Sequence, residues 1–455
     1  MPPGVAAGNP VTAEVGVQTL RDGGSAADAA VAMMLTACVA ETVFTGLAGG
    51  GFATYYDAGS GETTCLDFFV AVPGLGGRRG AVPEEIAIDF GGQLVPYSVG
   101  PSTVAVPGIP AGAAALHRRW GRLPWKDVCG PALHHAEHGV AFAPLHSKVL
   151  STIAPAMLLG DGARVYARDG QILPGGSRLF HPGLDASVRA LADDGAEAFY
   201  TGRVAEAMVA AIGEQGDLGH PDLSAYDVIE GKPQGARLGD ADVLARGNDL
   251  DDLLGTIQAL VLDEDDGVLA TRMVDALRLP PRRGDTTSAA VVDTDGNVCA
   301  VTTSLGLASG VWLGDYGLHL NSMMGEGELL RGTEMPGARM GSMMSPLIAF
   351  RDDVPVLVAG AAGGSRIRSA LLQVLVNVVH RELSAADAIA APRLNPVPGK
   401  VHVEPGMPTA ALSALAERDE VVIWPGLDSY FGGVAGIDEH GPGADPRRGG
   451  DTRLL

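Results

Sequence analysis

The sequence predicts an α+β fold built from stacked layers of sheet and helix. Three observations carry that expectation. Paired strand–turn–strand patterns occur near both ends of the chain. Long apolar helical runs lie beside them in each part. No internal repeat is found that would point to a solenoid or propeller.

The elements follow in order. Residues 10–22 (PVTAEVGVQTLRD) space their apolar positions as a helix does, and Gly23-Gly24 ends the pattern. SAADAAVAMMLTACVAE opens with Ser25 as an N-cap and reads as a buried helix. GLAGGGF follows, then FATYYDAGSGETTCLDFF, two strands joined around Gly59-Ser60-Gly61. Helices are expected over 108–119, 125–138, 185–196 and 203–214, and a loop with a short helix over 220–228. Residues 229–285 are acid-rich and less regular, and Pro280-Pro281 with Arg282-Arg283 predicts an extended, exposed approach to Thr286. GDTTSAAVVDTDGNVCAVTTS, from Gly284 to Ser304, reads as a hairpin with a two-residue Asp295-Gly296 turn. PLIAFRDDVPVLVAG is a second strand–turn–strand unit, and GGSRIRSALLQVLVNVVH a Gly-rich turn entering an apolar helix. The end, GPGADPRRGGDTRLL, reads as a polar tail.

Composition narrows the function classes. The chain of 455 residues is 46% hydrophobic, with 54 acidic against 32 basic side chains and a net charge of -22. That charge argues against nucleic acid and anionic membranes as partners. Cys38, Cys65, Cys129 and Cys299 are far apart and form no CxxC pair, so buried thiols are expected rather than a zinc or disulfide framework. MPPGVAAGNPVTAE has neither a basic nor an apolar leader region, and no uncharged run reaches membrane-spanning length. A soluble, cytoplasmic protein is the expectation.

Four chemistries compete. GLAGGGF and AAGGSRI lack the Walker lysine and a complete GxGxxG. His134, His135 and His138 share one helix, yet HHAEH is not the HExxH order, and solvated histidines explain it; no metal and no cofactor are expected. No GxSxG elbow marks a serine triad. The fourth candidate is Thr286. A threonine becomes a nucleophile when its own α-amine, with a pKa of about 7.7–8.0, accepts the hydroxyl proton. Thr286 is internal, so that amine exists only if the Asp285–Thr286 bond is cut, as its own hydroxyl could do by attacking the preceding carbonyl. On the hairpin alone, Thr286 and Thr287 read first as ordinary β-branched strand residues.

Further stretches resemble the gamma-glutamyltransferase (glutathione hydrolase) family of N-terminal-nucleophile hydrolases, over nearly the whole chain and in order. These are NPVTAEVGVQTLRDGGSAADAAVA, ETVFTGLAGGGFATYYDAGSGETTCLDF, WGRLPWKDVCGPALHHAEHGVAF, LSAYDVIEGKP, GDTTSAAVVDTDGNVCAVTTSL, MMSPLIAF, AGAAGGSRI and ADPRRGG. The resemblance implies a four-layer αββα sandwich and a precursor cut between Asp285 and Thr286. A large subunit, 1–285, and a small subunit, 286–455, would then form one intertwined domain. It further implies Thr286 as nucleophile and base, Ser304 as the hydroxyl that hydrogen-bonds it, and Gly363 and Gly364 as the oxyanion hole. The expected partners are a small-molecule amide or γ-glutamyl-like substrate and the chain's own two subunits.

The substrate positions depart from the family in one direction. Phe69 stands where the family carries its carboxylate-binding arginine, Gly306 where it carries an asparagine, and Met323 where it carries a glutamine. Glu326 replaces the amine-binding aspartate. Ser342 is kept, while Met343 replaces the second serine. A less polar acyl group is expected, since the bidentate carboxylate anchor is gone. Arg78, Arg79, Arg339 and Arg366 are candidates for a relocated anchor. The chain is also short before Thr286, where 229–285 stands for a longer family segment, and TTS replaces the usual TTH. Two further readings are a catalytically inactive binding or scaffold protein and an enzyme of specialised metabolism that reuses the same threonine.

Overall fold

A computed structural model describes residues 1–89, 94–247, 252–278, 286–327, 329–330, 332 and 334–455. Two antiparallel sheets lie face to face. In spatial order, the first contains strands Ile229–Gly231, Glu62–Phe68, Gly50–Asp57, Val298–Ser304, Thr287–Val292, Gly4–Ala7 and Asp451–Leu454. The second contains Gln234–Leu238, Ala241–Ala245, Leu347–Arg351, Val354–Ala362, Gly433–Asp438 and Gly441–Ala444. Between them small and β-branched residues interlock, with Ala290, Val292 and Ala300 of one sheet against Ile348, Val358 and Ile437 of the other. Such alternation puts every second residue into the space between the sheets.

Helices cover both outer faces. Ala26–Ala40 is buried along its whole length, as a helix with apolar residues on every face must be. It packs on strands Thr287–Val292 and Val298–Ser304 and is itself covered by Pro10–Arg21, Ile109–Trp120 and Trp125–His138. Its start is fixed by a capping box: Ser25 Oγ accepts the Asp28 N–H at 3.1 Å and Asp28 Oδ2 accepts the Ser25 N–H at 2.9 Å. On the far side, Arg366–Val379 packs on strand Val354–Ala362, beside Leu253–Ala259 and Asp266–Leu277. The order helix, sheet, sheet, helix is the αββα sandwich that the resemblance implies. Among the described residues no helix is long and apolar enough to cross a membrane.

Most expected elements form within a residue or two of their sequence bounds, and all four cysteines are buried and free. Two expectations fail. The turn of the 287–304 hairpin is not the two-residue Asp295-Gly296 type. Residues 293–297 connect the strands, because Asp293 Oδ1 accepts the N–H groups of Asp295 (2.9 Å) and Asn297 (3.0 Å). Its Oδ2 accepts the N–H of Ala26 at 2.9 Å, which ties the loop to the buried helix. The C-terminus is not a polar tail. Gly441–Ala444 and Asp451–Leu454 are edge strands, the latter pairing with Gly4–Ala7. Between them Arg447 is fully buried, bonded to Glu404 and Asp445. Polar and glycine-rich residues hide an edge strand because backbone pairing, not side-chain pattern, holds it there.

Candidate active site

The register of the central hairpin places the candidate nucleophile. Thr287 pairs with Thr303, so Thr286 and Ser304 stand opposite one another one residue further along. Thr286 is 2% exposed and Ser304 5%. The Ser304 hydroxyl accepts the Gly306 N–H at 3.0 Å. Asp285 lies outside the described residues.

Side chains alternate across the strand, which separates two faces. Ser288, on the same face as Thr286, points into the second sheet; a Cβ on Gly360 would sit 2.0 Å from its hydroxyl. Thr287 points the other way, toward the helices, where its hydroxyl donates to Glu41 Oε2. Glu41 is 1% exposed at the C-terminal end of the buried helix, and its other oxygen accepts the Thr12 hydroxyl at 2.7 Å. Burial pushes its carboxyl above the usual range, opposed by the hydroxyls of Thr287 and Thr12 and by the Arg448 charge. A Cβ at Gly8 would lie 2.8 Å from Glu41 Oε2 and 2.9 Å from Thr287 Oγ1, so that position admits no side chain without displacing one of them.

Arg448 closes the site from the C-terminal segment. Its guanidinium donates to the Thr286 carbonyl at 3.4 Å and lies 5.0 Å from the Phe44 ring centre. The turn that presents it is anchored by Asp445, which accepts from the Val434 N–H (2.9 Å) and from Arg393 (2.6 Å). Thr286, Thr287, Glu41, Phe44, Asp445 and Arg448 line one small cavity.

Gly363 and Gly364 follow strand Val354–Ala362 and precede helix Arg366–Val379, with φ of 125° and 56°. A Cβ on Gly363 would meet Gly432 Cα at 2.8 Å and Arg448 Nη2 at 3.3 Å. Arg448 thus joins the loop to Thr286, and the close backbone approach requires glycine.

None of the candidate recognition residues lines the cavity at Thr286. Phe69 is 1% exposed and stacks on Phe52 with ring centres 5.5 Å apart. Phe69, Phe52, Met323 and Met343 belong to one buried apolar cluster. Ser342 accepts the Met344 N–H at 3.2 Å. Glu326 is buried, and its Oε1 accepts the Leu307 N–H at 3.0 Å. That oxygen occupies the space a side chain at Gly306 would need, since a Cβ there would lie 2.2 Å away.

Of the four arginines weighed as a relocated anchor, Arg339 comes nearest to Phe69. It donates to the Phe69 carbonyl at 2.6 Å, faces Asp67 at 3.2 Å and lies over Tyr226. Arg366 lies over Tyr430, Arg78 binds the carbonyls of Gly213 and Leu218, and Arg79 is exposed. Arg246, not singled out from sequence, lies 4.1 Å from the Phe52 ring centre and 3.5 Å from Asp67. Glu41 and Arg448 also escaped notice as site residues. One reads as the polar end of an apolar helix and the other as part of a tail. The remaining signal was a single acid after fifteen buried residues. His134 and His138 stack at 4.4 Å on their helix, and among the described residues no three His, Cys, Asp or Glu side chains group as metal ligands would.

Known proteins resemble this chain over most of its length. The gamma-glutamyltranspeptidase family model matches residues 12–262 and 263–454. The glutathione hydrolase proenzyme of Pseudomonas aeruginosa is 28% identical over 468 residues, spanning 86% of this chain and 82% of that protein. The acylase ACY 1 proenzyme of Pseudomonas sp. strain SE83 is 26% identical over 492 residues, spanning 92% and 87%. The crystal structure of cephalosporin acylase from Bacillus halodurans superposes with a TM-score of 0.83 over 100% of this chain and 96% of that one, at 20% identity. That last likeness speaks to the fold.

Proposed function

This chain belongs to the gamma-glutamyltranspeptidase family, whose members are hydrolases and transferases of the N-terminal-nucleophile type, and from that premise we propose a self-processing acylase of altered specificity. It is an enzyme of the family's amide-cleaving or acyl-transferring kind, and the comparisons lend no support to an inactive scaffold. In the proposed processing step the Thr286 hydroxyl adds to the Asp285 carbonyl carbon. The C–N bond breaks, its nitrogen keeps the electron pair and takes a proton, and water cleaves the resulting ester. The products are segment 1–285 ending in a carboxyl and segment 286–455 beginning with a free amine.

In turnover that amine takes the Thr286 hydroxyl proton as the oxygen attacks the substrate's acyl carbon. In this reading the N–H groups of Gly363 and Gly364 receive the oxyanion, and Ser304 holds the nucleophile's oxygen. The proton passes to the leaving nitrogen, and an acyl ester on Thr286 remains. Water or an amine acceptor then releases the acyl group.

The observation that carries the specificity reading is the apolar cluster at Phe69, Met323 and Met343. A γ-glutamyl head would have to bury its α-carboxylate beside phenylalanine and methionine, without the arginine that the family carries at position 69. An acyl group without that head fits. Intact mass under denaturing conditions tests the first half: two fragments, the smaller starting at Thr286, are expected. A panel of acyl 4-nitroanilides (γ-glutamyl, glutaryl, hexanoyl, phenylacetyl) tests the second. Rapid γ-glutamyl hydrolysis would overturn the specificity reading.

A further inference from the structure

Glu41 is a carboxyl group in an expensive place. It sits at the C-terminal end of a helix whose other residues are all buried, where the helix dipole disfavours negative charge. It is 1% exposed, and its bonding partners there are two threonine hydroxyls. An apolar residue would suit the packing better. Yet Gly8 gives up its side chain to leave Glu41 and Thr287 room.

What the carboxyl touches gives it a use. The segment Glu41–Thr45 runs behind the nucleophile hairpin and grips both of its strands. Glu41 holds Thr287 on one strand, and the Thr45 hydroxyl donates to Thr303 on the other at 2.9 Å. Thr287 and Thr303 are cross-strand partners. One residue beyond each of them stand Thr286 and Ser304. Phe44, between the two grips, supports the Arg448 that binds the Thr286 carbonyl. Because side chains alternate, a hold on Thr287 from behind fixes the direction in which Thr286 projects in front.

We propose that Glu41 is the positioning residue for Thr286, acting through the hydroxyl of Thr287 from the opposite face of the strand. This rests on the reading of Thr286 as nucleophile. Glu41 touches no reacting atom. It sets the aim of the hydroxyl toward the Asp285 carbonyl during processing, and toward the acyl carbon in turnover. A threonine mis-aimed by about 1 Å loses on the order of 100-fold in rate.

The test uses the full chain, with cutting before Thr286 followed over time by intact mass, and melting followed in parallel. In E41Q one of the two carboxylate acceptors becomes an amide donor. The expected result is cutting slowed on the order of 100-fold at a melting temperature no lower than the parent's, since the amide keeps the size of the buried side chain. T287V keeps the shape of Thr287 and removes its hydroxyl; it is expected to slow cutting similarly, and the double variant to be no slower than the slower single. Parent-rate cutting by E41Q or T287V overturns the proposal. So do effects that multiply in the double variant, and so does an E41Q chain whose melting falls as its cutting does, which would make Glu41 merely structural. A parent chain that is never cut instead sinks the nucleophile reading, and this proposal with it.

Discussion

Two regions of the molecule, the back of the 287–304 hairpin and the buried cluster around Phe69, are built from opposite chemistry. Behind the hairpin, hydroxyls, a buried carboxyl and histidines make specific bonds: Thr287 to Glu41, Thr45 to Thr303, Tyr166 and His181 to Thr42. At the proposed recognition side, Phe69, Met323 and Met343 belong to one buried apolar cluster. The difference shows what each side must do. Aiming a nucleophile needs fixed hydrogen bonds, because small angular errors cost rate. Receiving an acyl group needs shape and a dry surface, which apolar residues supply and can exchange without disturbing the strands.

The largest expected effect removes the chemistry and leaves both sides intact. T286A should leave a single uncut chain of 46.5 kDa under denaturing conditions. A chain still cut at that site would end the comparison, since nothing would then be aimed.

Next in size is the buried ionic core that carries Arg448. Arg447, Glu404, Asp445 and Arg393 are each at most 3% exposed. E404A would leave Arg447 only one of its two carboxylate partners and should cost about 3–5 kcal/mol in urea unfolding. A much smaller loss would mean that the C-terminal turn is held by its backbone alone.

The histidines behind the hairpin give the back face a pH signature. Burial holds His146 down to about 3, with the Arg448 charge adding to it; burial likewise holds His181 to about 4 and His319 to about 3. In the unfolded chain they take up protons near pH 6.5. The unfolded state therefore binds more protons below that pH, and stability falls as pH drops from about 6.5 toward 4. Each histidine contributes about 1.4 kcal/mol per pH unit. Glu41, whose carboxyl is raised, opposes this with one proton. Melting at pH 7 and at pH 5 measures the slope; a flat profile would mean that these rings are solvated.

A smaller effect sharpens the recognition side. M343S restores a hydroxyl to the apolar cluster. It should shift preference between hexanoyl and glutaryl anilides by about tenfold, or about 1.4 kcal/mol, without changing the rate of self-cleavage. A matching loss of self-cleavage would show that the two sides are coupled. H134A, on the outer helix, should change stability by less than about 0.5 kcal/mol.

Much of this was legible in the chain itself. Alternation and helical spacing located the strands and helices, because burial on one face imposes period 2 or 3.6 on any sequence that folds. Ser25 announced its helix, since a hydroxyl before an apolar run satisfies orphan N–H groups wherever it occurs. The order of motifs named the family, and the substitutions at Phe69, Met323 and Met343 suggested the proposed change in specificity. These are local or positional facts.

What only the tertiary structure decided depends on residues far apart in sequence. Thr287 and Glu41 are separated by 246 positions, and Arg448 and Thr286 by 162. No local pattern could reveal that an acid ending one helix grips a strand from behind. Nor could it show that an apparent tail is two edge strands whose connecting turn brings an arginine to the Thr286 carbonyl. The Asp293 side chain, reaching Ala26, likewise overruled a turn that its own neighbours favoured. Sequence fixes what each segment prefers by itself; which polar groups find partners is settled only when folding brings distant segments together and removes the water that would otherwise satisfy them.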